Sequence, residues 1–453
     1  MKSYKLTIPV LHKELGFYEP AFFLMHLETE FPKGFLPLQK MDEGQLSTFV
    51  HEYIHFLQDF TSYAGLNNAY VYTEYIKACL KKIKANPAGN FKIPVKLGGN
   101  VWNVELNQFV NQECVGKEWI EKDTVFPRRV VEKDVKLPYR SFITGLKEYY
   151  IETLQHELLP FNTIAIRENM AYIIERQITR VPKGAKDYPY LSAEIVLRLE
   201  YPELANDQLI ILALCDVSML FSNPGGVFIK IVRDMKRLQI MPTQPEMVYD
   251  FAYNNLMCAQ MSESTTVPVA FAKMAIFTGN CLQDYFYVSK FPYYINTIRN
   301  FIGYGLHIRL NHKTFFIDLV RNGYARSNNL LQQTINRLGT PTIIDVKNNY
   351  CMMPAITGEN RGIYMFSAIH EMYKCFHDGH TLCEMIEWCE QNENATLSDY
   401  EKSLQLEGMR EFTKVDERCY DCPWEKSDGK SNLCPYAALW HNWGLDGYTP
   451  LTT

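Results

Sequence analysis

The sequence predicts a mainly helical protein with a minor β sheet, an α+β fold, and three features of the chain predict it. Apolar residues recur at helical spacing through 42–65, 68–84, after Pro160 at Ile164, Ala171, Ile174 and Ile178, and through most of 191–337. Alternating or β-branched stretches are confined to the first 40 residues, to 91–139 and to 340–346. Prolines and glycines fall between these segments, where they punctuate the chain.

Taken in order, Met1 to Leu11 reads as a strand, and the aromatic pair Phe22 and Phe23 sits in further extended chain broken by Pro20, Pro32 and Pro37. From Asp42 the pattern turns helical through Leu46, Phe49, Val50, Ile54, Leu57 and Phe60. Asp42 and Gln45 form a capping box, and Gly65 is expected to end the helix. A second helix covers Asn68 to Lys84, closed by Pro87 and Gly89. Residues 91–139 read as a β-rich insertion, with Ile93 to Leu97 and Val101 to Leu106 as a hairpin about Gly98, Gly99 and Asn100. Helical signals return from Thr144 to Glu157, and again after Pro160 until Pro182. Short turns such as Ser222-Asn223-Pro224-Gly225-Gly226 separate the helices that follow Leu191. Thr340 to Val346 is a further strand, and helices resume after Gly362. The chain accordingly divides into residues 1–350 and a helical, cysteine-rich module, 351–453.

Bulk properties exclude several functions. A chain of 453 residues with 47% hydrophobic and 21% charged residues has globular composition. Its net charge of −5 supplies no basic field for a phosphate backbone, so no nucleic-acid partner is expected. Lys81, Lys82 and Lys84 read as a solvated helix end. The most apolar stretch, Leu209 to Cys215, is far shorter than the roughly 20 residues that span a bilayer. The first residues lack the apolar core and cleavage site of a secretory signal, so the expected compartment is the cytoplasm, with no membrane partner. The 12 cysteines are then expected to be largely reduced.

The strongest chemical signal is His51-Glu52-Tyr53-Ile54-His55. Histidines at i and i+4 leave one face of a helix a turn apart, which lets both imidazoles reach one tetrahedral zinc. A carboxylate directly after the first histidine is placed to take a proton from an attacking water and pass it to a leaving nitrogen. Glu52 holds that place. On these three residues the chain resembles the zincin superfamily of metallopeptidases. The metzincin continuation is absent, since Phe56 to Tyr63 offers neither the glycine nor the third histidine.

The resemblance is therefore to the gluzincin branch, and it implies a zincin-like core, a catalytic zinc on His51 and His55, Glu52 as general base and a glutamate from a later helix as third ligand. Glu168 is the best candidate, with His156, Glu157 and Glu175 as competitors. Ala171, one turn beyond Glu168, would let the two helices approach, Tyr172 would share the ligand's face, and Glu175 could instead support a ligating histidine. The interval from His55 to Glu168 is longer than in compact members of that branch, and the insertion accounts for it. Tyr172, Tyr304 and His307 are candidates for a donor to the oxyanion, a role left open.

Cys419 and Cys422 form a CxxC pair, with Cys434 following, which resembles half of a structural zinc knuckle. The fourth ligand is Cys389, Cys383 or His441. An iron–sulfur cluster is the rival, given Cys422-Pro423 and Cys434-Pro435. His370, His377 and His380 match no ligand pattern, and His377 and His380 read as helix-end histidines near Gly379. The expected function is a zinc-dependent metallopeptidase of narrow specificity for a peptide or protein substrate, regulated by a protein partner, as in a stress or defence effector. The alternative is a non-catalytic zinc-binding scaffold or regulatory interaction protein.

Overall fold

A computed structural model describes residues 16–30, 38–86, 89–97, 102–116, 119–136, 145–180, 186–260, 263–289, 293–347, 350–351, 355, 364–393, 415–426 and 434–452. The strand expected at Met1 to Leu11 lies outside them. The first elements are β1 (Gly16–Glu19), β2 (Leu24–Leu27), α1 (Glu43–Thr61), α2 (Tyr63–Lys84), β3 (Asn90–Ile93) and α3 (Trp102–Val115). A meander of β4 (Pro127–Asp134), β5 (Lys147–Thr153) and β6 (Leu158–Pro160) leads into α4 (Thr163–Ile178). Then come α5 (Ser192–Glu200), α6 (Gln208–Ser218), α7 (Pro224–Arg237) and α8 (Pro245–Asn255). The hairpin β7 (Met257–Gln260) and β8 (Glu263–Thr266) precedes α9 (Val267–Phe286), α10 (Tyr293–Asn311), α11 (Phe315–Arg321) and α12 (Asn329–Leu338). The chain closes with β9 (Thr342–Asp345), β10 (Tyr350–Cys351), α13 (Tyr364–Asp378), α14 (Ile386–Glu393), α15 (Arg418–Asp421), α16 (Pro435–Asn442) and β11 (Thr449–Thr452). The protein is thus mainly helical with small sheets, as the sequence predicts. Among the described residues no helix is long and apolar enough to cross a membrane.

Helix α1 is the axis of the core. It starts where the sequence predicts: the Asp42 carboxylate accepts from Gln45 N at 2.8 Å and Gln45 Oε1 accepts from Asp42 N at 3.0 Å. Every residue from Leu46 to Thr61 is buried, because α2, α4, α10 and the β1–β2 hairpin pack around the helix. The hairpin belongs to a sheet ordered β1-β2-β9-β10, in which β9 joins β2 in parallel.

Three expectations are corrected. Gly65 does not end α1, which stops at Thr61. Ser62 turns the corner instead, donating to Gln58 O at 2.6 Å and accepting from Gly65 N at 2.9 Å. Gly65 is there for space, since a Cβ would lie 2.5 Å from Asp59 Cα. The hairpin read from Ile93 to Leu106 is a strand and a helix, because α3 finds partners in α2 and α4 and buries Phe109 and Cys114. Asn111 of α3 bonds Asn67 and Asn68 of α2. Tyr149, Tyr150, Ile151 and Thr153 form β5 rather than a helix, since β4 and β6 supply antiparallel edges that suit aromatic and β-branched side chains.

The far end of the chain returns to the middle: β11 pairs in parallel with β3, Thr449 opposite Asn90, and α13 packs on α2 and β3. On the other flank, Arg309 of α10 grips Asp216 of α6 with two bonds of 2.8 and 2.6 Å and donates through Nε to Thr61 O. Tyr249 adds a third donor to Asp216 at 2.6 Å. Both charged side chains are essentially inaccessible, so removing one strands the other. Arg309→Met is expected to lower stability by about 3–5 kcal/mol in urea unfolding. A loss of less than about 1 kcal/mol, the scale of an exposed pair, would contradict this role.

Candidate metal centre

A buried helix with polar residues on it must give each of them a partner, since stranding one costs about 1–3 kcal/mol. On α1 those residues include Ser47, His51, Glu52, His55, Gln58 and Asp59, and α4 answers several of them. Asn162 caps α4, accepting from Ala165 N at 3.2 Å, and the helix buries Arg167, Glu168 and Glu175. Ala171 is wholly buried.

The side chains meet as three candidate ligands and two candidate supports. His51 Nε2 lies 3.1 Å from Glu168 Oε2, and His55 Nε2 lies 3.2 Å from Glu168 Oε1. The donor atoms of His51, His55 and Glu168 all fall within 4.8 Å of one another. Behind them, His51 Nδ1 meets Glu175 Oε2 at 2.9 Å, and Ser47 Oγ donates to Glu175 Oε1 at 2.5 Å. His55 Nδ1 meets Gln58 Oε1 at 2.9 Å. Both Nδ1 atoms are thereby engaged outward and both Nε2 atoms point at Glu168, as ligating histidines require.

The electrostatics fit a cation. Burial opposes charge on His51, but its bonds to Glu168 and Glu175 outweigh this and raise its pKa well above the ordinary value. Burial lowers that of His55, which favours the neutral ring. With Nδ1 protonated toward an acceptor, a neutral His55 presents a bare lone pair at Nε2. That atom and Glu168 Oε1 face each other without a hydrogen-bond partner for either. Two buried acceptors side by side are stabilised by a positive ion, and two imidazoles with a carboxylate are a zinc-type donor set.

Of the other residues singled out, Glu175 takes the supporting place. His156 is in an exposed turn against Glu152, and Glu157 pairs with Lys122 at 2.7 Å. Tyr304 bonds Thr334, and His307 faces Asn311. Tyr172 reaches the centre through Tyr190, its ring centroid 5.8 Å away. Tyr190 is the residue the sequence did not single out: its ring meets His51 edge-on at 6.1 Å. Burial first, then the charges of Glu168, Glu121, Glu52 and Glu175, raise its hydroxyl pKa. One tyrosine among 29, outside any motif, carries no signal that would have marked it.

The cysteines gather without closing to ligand spacing. Among the described residues, the group whose donors lie within 4.8 Å is the histidine–glutamate one. Cys419 Sγ accepts from Lys426 Nζ at 2.7 Å, and Cys434 caps α16 through Ala437 N at 3.5 Å. Burial, then the neighbouring Cys434 and Cys419, push the Cys389 thiol up to about 12. Burial also raises Cys383, which is near Cys434 and Cys389, whereas Cys422 is surrounded by Glu425, Asp421 and Arg418. His441 pairs with Asp446 at the surface, and His370, His377 and His380 pair with Glu19, Asp378 and Glu384.

No family model, curated protein or solved structure matches the chain.

Proposed function

We propose that the chain is a zinc-dependent metallopeptidase of the gluzincin kind. The observation that carries this reading is the buried triad of His51, His55 and Glu168, with Glu52 adjoining the first ligand on the same helix. A zinc ion held there supplies Lewis acidity and lowers the pKa of water. Glu52 takes the proton of the attacking water and delivers it to the leaving amide nitrogen. Tyr190, packed against His51, is the donor proposed for the developing oxyanion. His51 and Glu52 are 8% and 5% exposed, against 0% for His55 and 2% for Glu168, so the scissile carbonyl approaches from their side.

The substrate proposed is a peptide or protein taken with narrow specificity in the cytoplasm. The helices beyond α4 far exceed a minimal catalytic unit and offer surface for recognition and for a regulatory partner. Near-complete burial of the ligands supports a second reading, a zinc-organised scaffold without catalysis. Metal analysis tests the common premise. Purified protein is expected to hold one zinc at this centre, and a chelator should remove both the zinc and peptide hydrolysis, with added zinc restoring them. Protein that binds no zinc would end both readings. A further zinc lost on substituting the cysteines would place a structural ion in the C-terminal module.

A further inference from the structure

Arg167, the residue before Glu168, is 4% exposed, and its guanidinium reaches three groups of α1. Nε donates to Gln58 Oε1 at 3.2 Å, Nη2 donates to His55 O at 3.2 Å, and Nη1 pairs with Asp59 Oδ1 at 3.1 Å. In return Gln58 Nε2 donates to the Arg167 carbonyl at 3.2 Å. Asp59 is held from its other oxygen by Tyr18 OH at 3.0 Å and Ala21 N at 2.8 Å, which fastens the clamp to the β1–β2 hairpin.

These bonds leave one arrangement of donors and acceptors. A guanidinium only donates, so the Gln58 atom that faces Arg167 Nε must be the carbonyl oxygen. The amide cannot be flipped, because its nitrogen is then required by the Arg167 carbonyl. The same oxygen receives His55 Nδ1 at 2.9 Å, so Nδ1 must carry the proton there. The neutral ring is left with its lone pair on Nε2, toward Glu168. We infer that Arg167 is a positioning residue: through Gln58 it locks His55 in the metal-binding tautomer, and by gripping α1 it sets the register that brings Glu168 to both histidines.

The two histidines are therefore supported differently. His51 leans on the carboxylate of Glu175, whereas His55 leans on a neutral amide polarised by a cation. A lysine at position 167 would keep the charge but lose the fork that reaches three groups at once. As a statement about zinc the inference rests on the function proposed above; as a statement about the tautomer it does not.

The test uses zinc-free and zinc-loaded full-length protein. Long-range ¹H–¹⁵N spectra of histidine-labelled, zinc-free protein should show His55 protonated at Nδ1, and Gln58→Met should abolish that preference. Zinc affinity, from competition with a chromophoric chelator, should fall roughly 10–100-fold in Gln58→Met, the usual cost of losing an outer partner. Gln58→Glu keeps an acceptor for both His55 and Arg167 while giving up the donor to the Arg167 carbonyl, and should bind zinc more tightly than Gln58→Met, an ordering that a purely structural role does not predict. Circular dichroism checks that both variants fold. An Nε2-protonated His55 in the wild type would overturn the inference whether or not zinc binds. Equal zinc affinity in all three proteins would overturn it while leaving the metal centre standing. The Nδ1 tautomer in protein that binds no zinc would support the lock and overturn the function proposed for it.

Discussion

Glu52→Gln is expected to keep its zinc and to lose hydrolysis by about 100- to 10,000-fold, the span that a positioned general base supplies. Glutamine matches glutamate in volume, so the packing of a residue only 5% exposed is undisturbed. It cannot accept a proton from water at neutral pH, and that is the capacity being removed. Glu52 contributes to the negative field that raises His51, so a modest change in zinc affinity is expected, well short of loss. The comparison to make is zinc content and peptide turnover in the same preparation. Zinc retained with activity gone supports catalysis. Zinc retained with biological activity unchanged favours the scaffold and ends the peptidase reading.

What the sequence made legible at this centre came from residues close together in the chain. Asp42 and Gln45 announce the start of α1, and the spacing of His51 and His55 on that helix fixes a shared face, because helical geometry is local. Glu168 and Glu175 came from the resemblance, and the structure brings both to His51 across more than a hundred residues of chain.

The support of His55 was not legible. Gln58 is a polar residue one turn on, and only the arrival of Arg167 on another helix gives its amide an orientation. The same limit explains α3. Val101, Trp102, Val104 and Leu106 alternate with polar residues as a strand would, but α2 and α4 provide a helix-shaped seat, and tertiary contact overrides local pattern. In β5 the missing information was the partner strand, which no window of sequence around Tyr149 contains.

Glu168→Gln is expected to weaken zinc binding by more than about 100-fold, beyond the roughly 10–100-fold cost of an outer support. The side chain serves both histidines at once, Oε2 with His51 and Oε1 with His55, so neutralising it removes the only carboxylate that touches both ring nitrogens among the described residues. Its amide nitrogen would also turn a donor toward either His51 or the unpartnered Nε2 of His55, satisfying without metal a lone pair that the ion otherwise uses. The zinc-free variant should therefore fold, and its deficit should appear in chelator competition. Glu175→Gln is the matched control: it leaves the three donors in place and weakens only the support of His51 Nδ1, so its loss should be the smaller of the two. Should Glu168→Gln hold zinc as tightly as the native chain, the third ligand lies elsewhere, and the paired acceptors between α1 and α4 need another explanation.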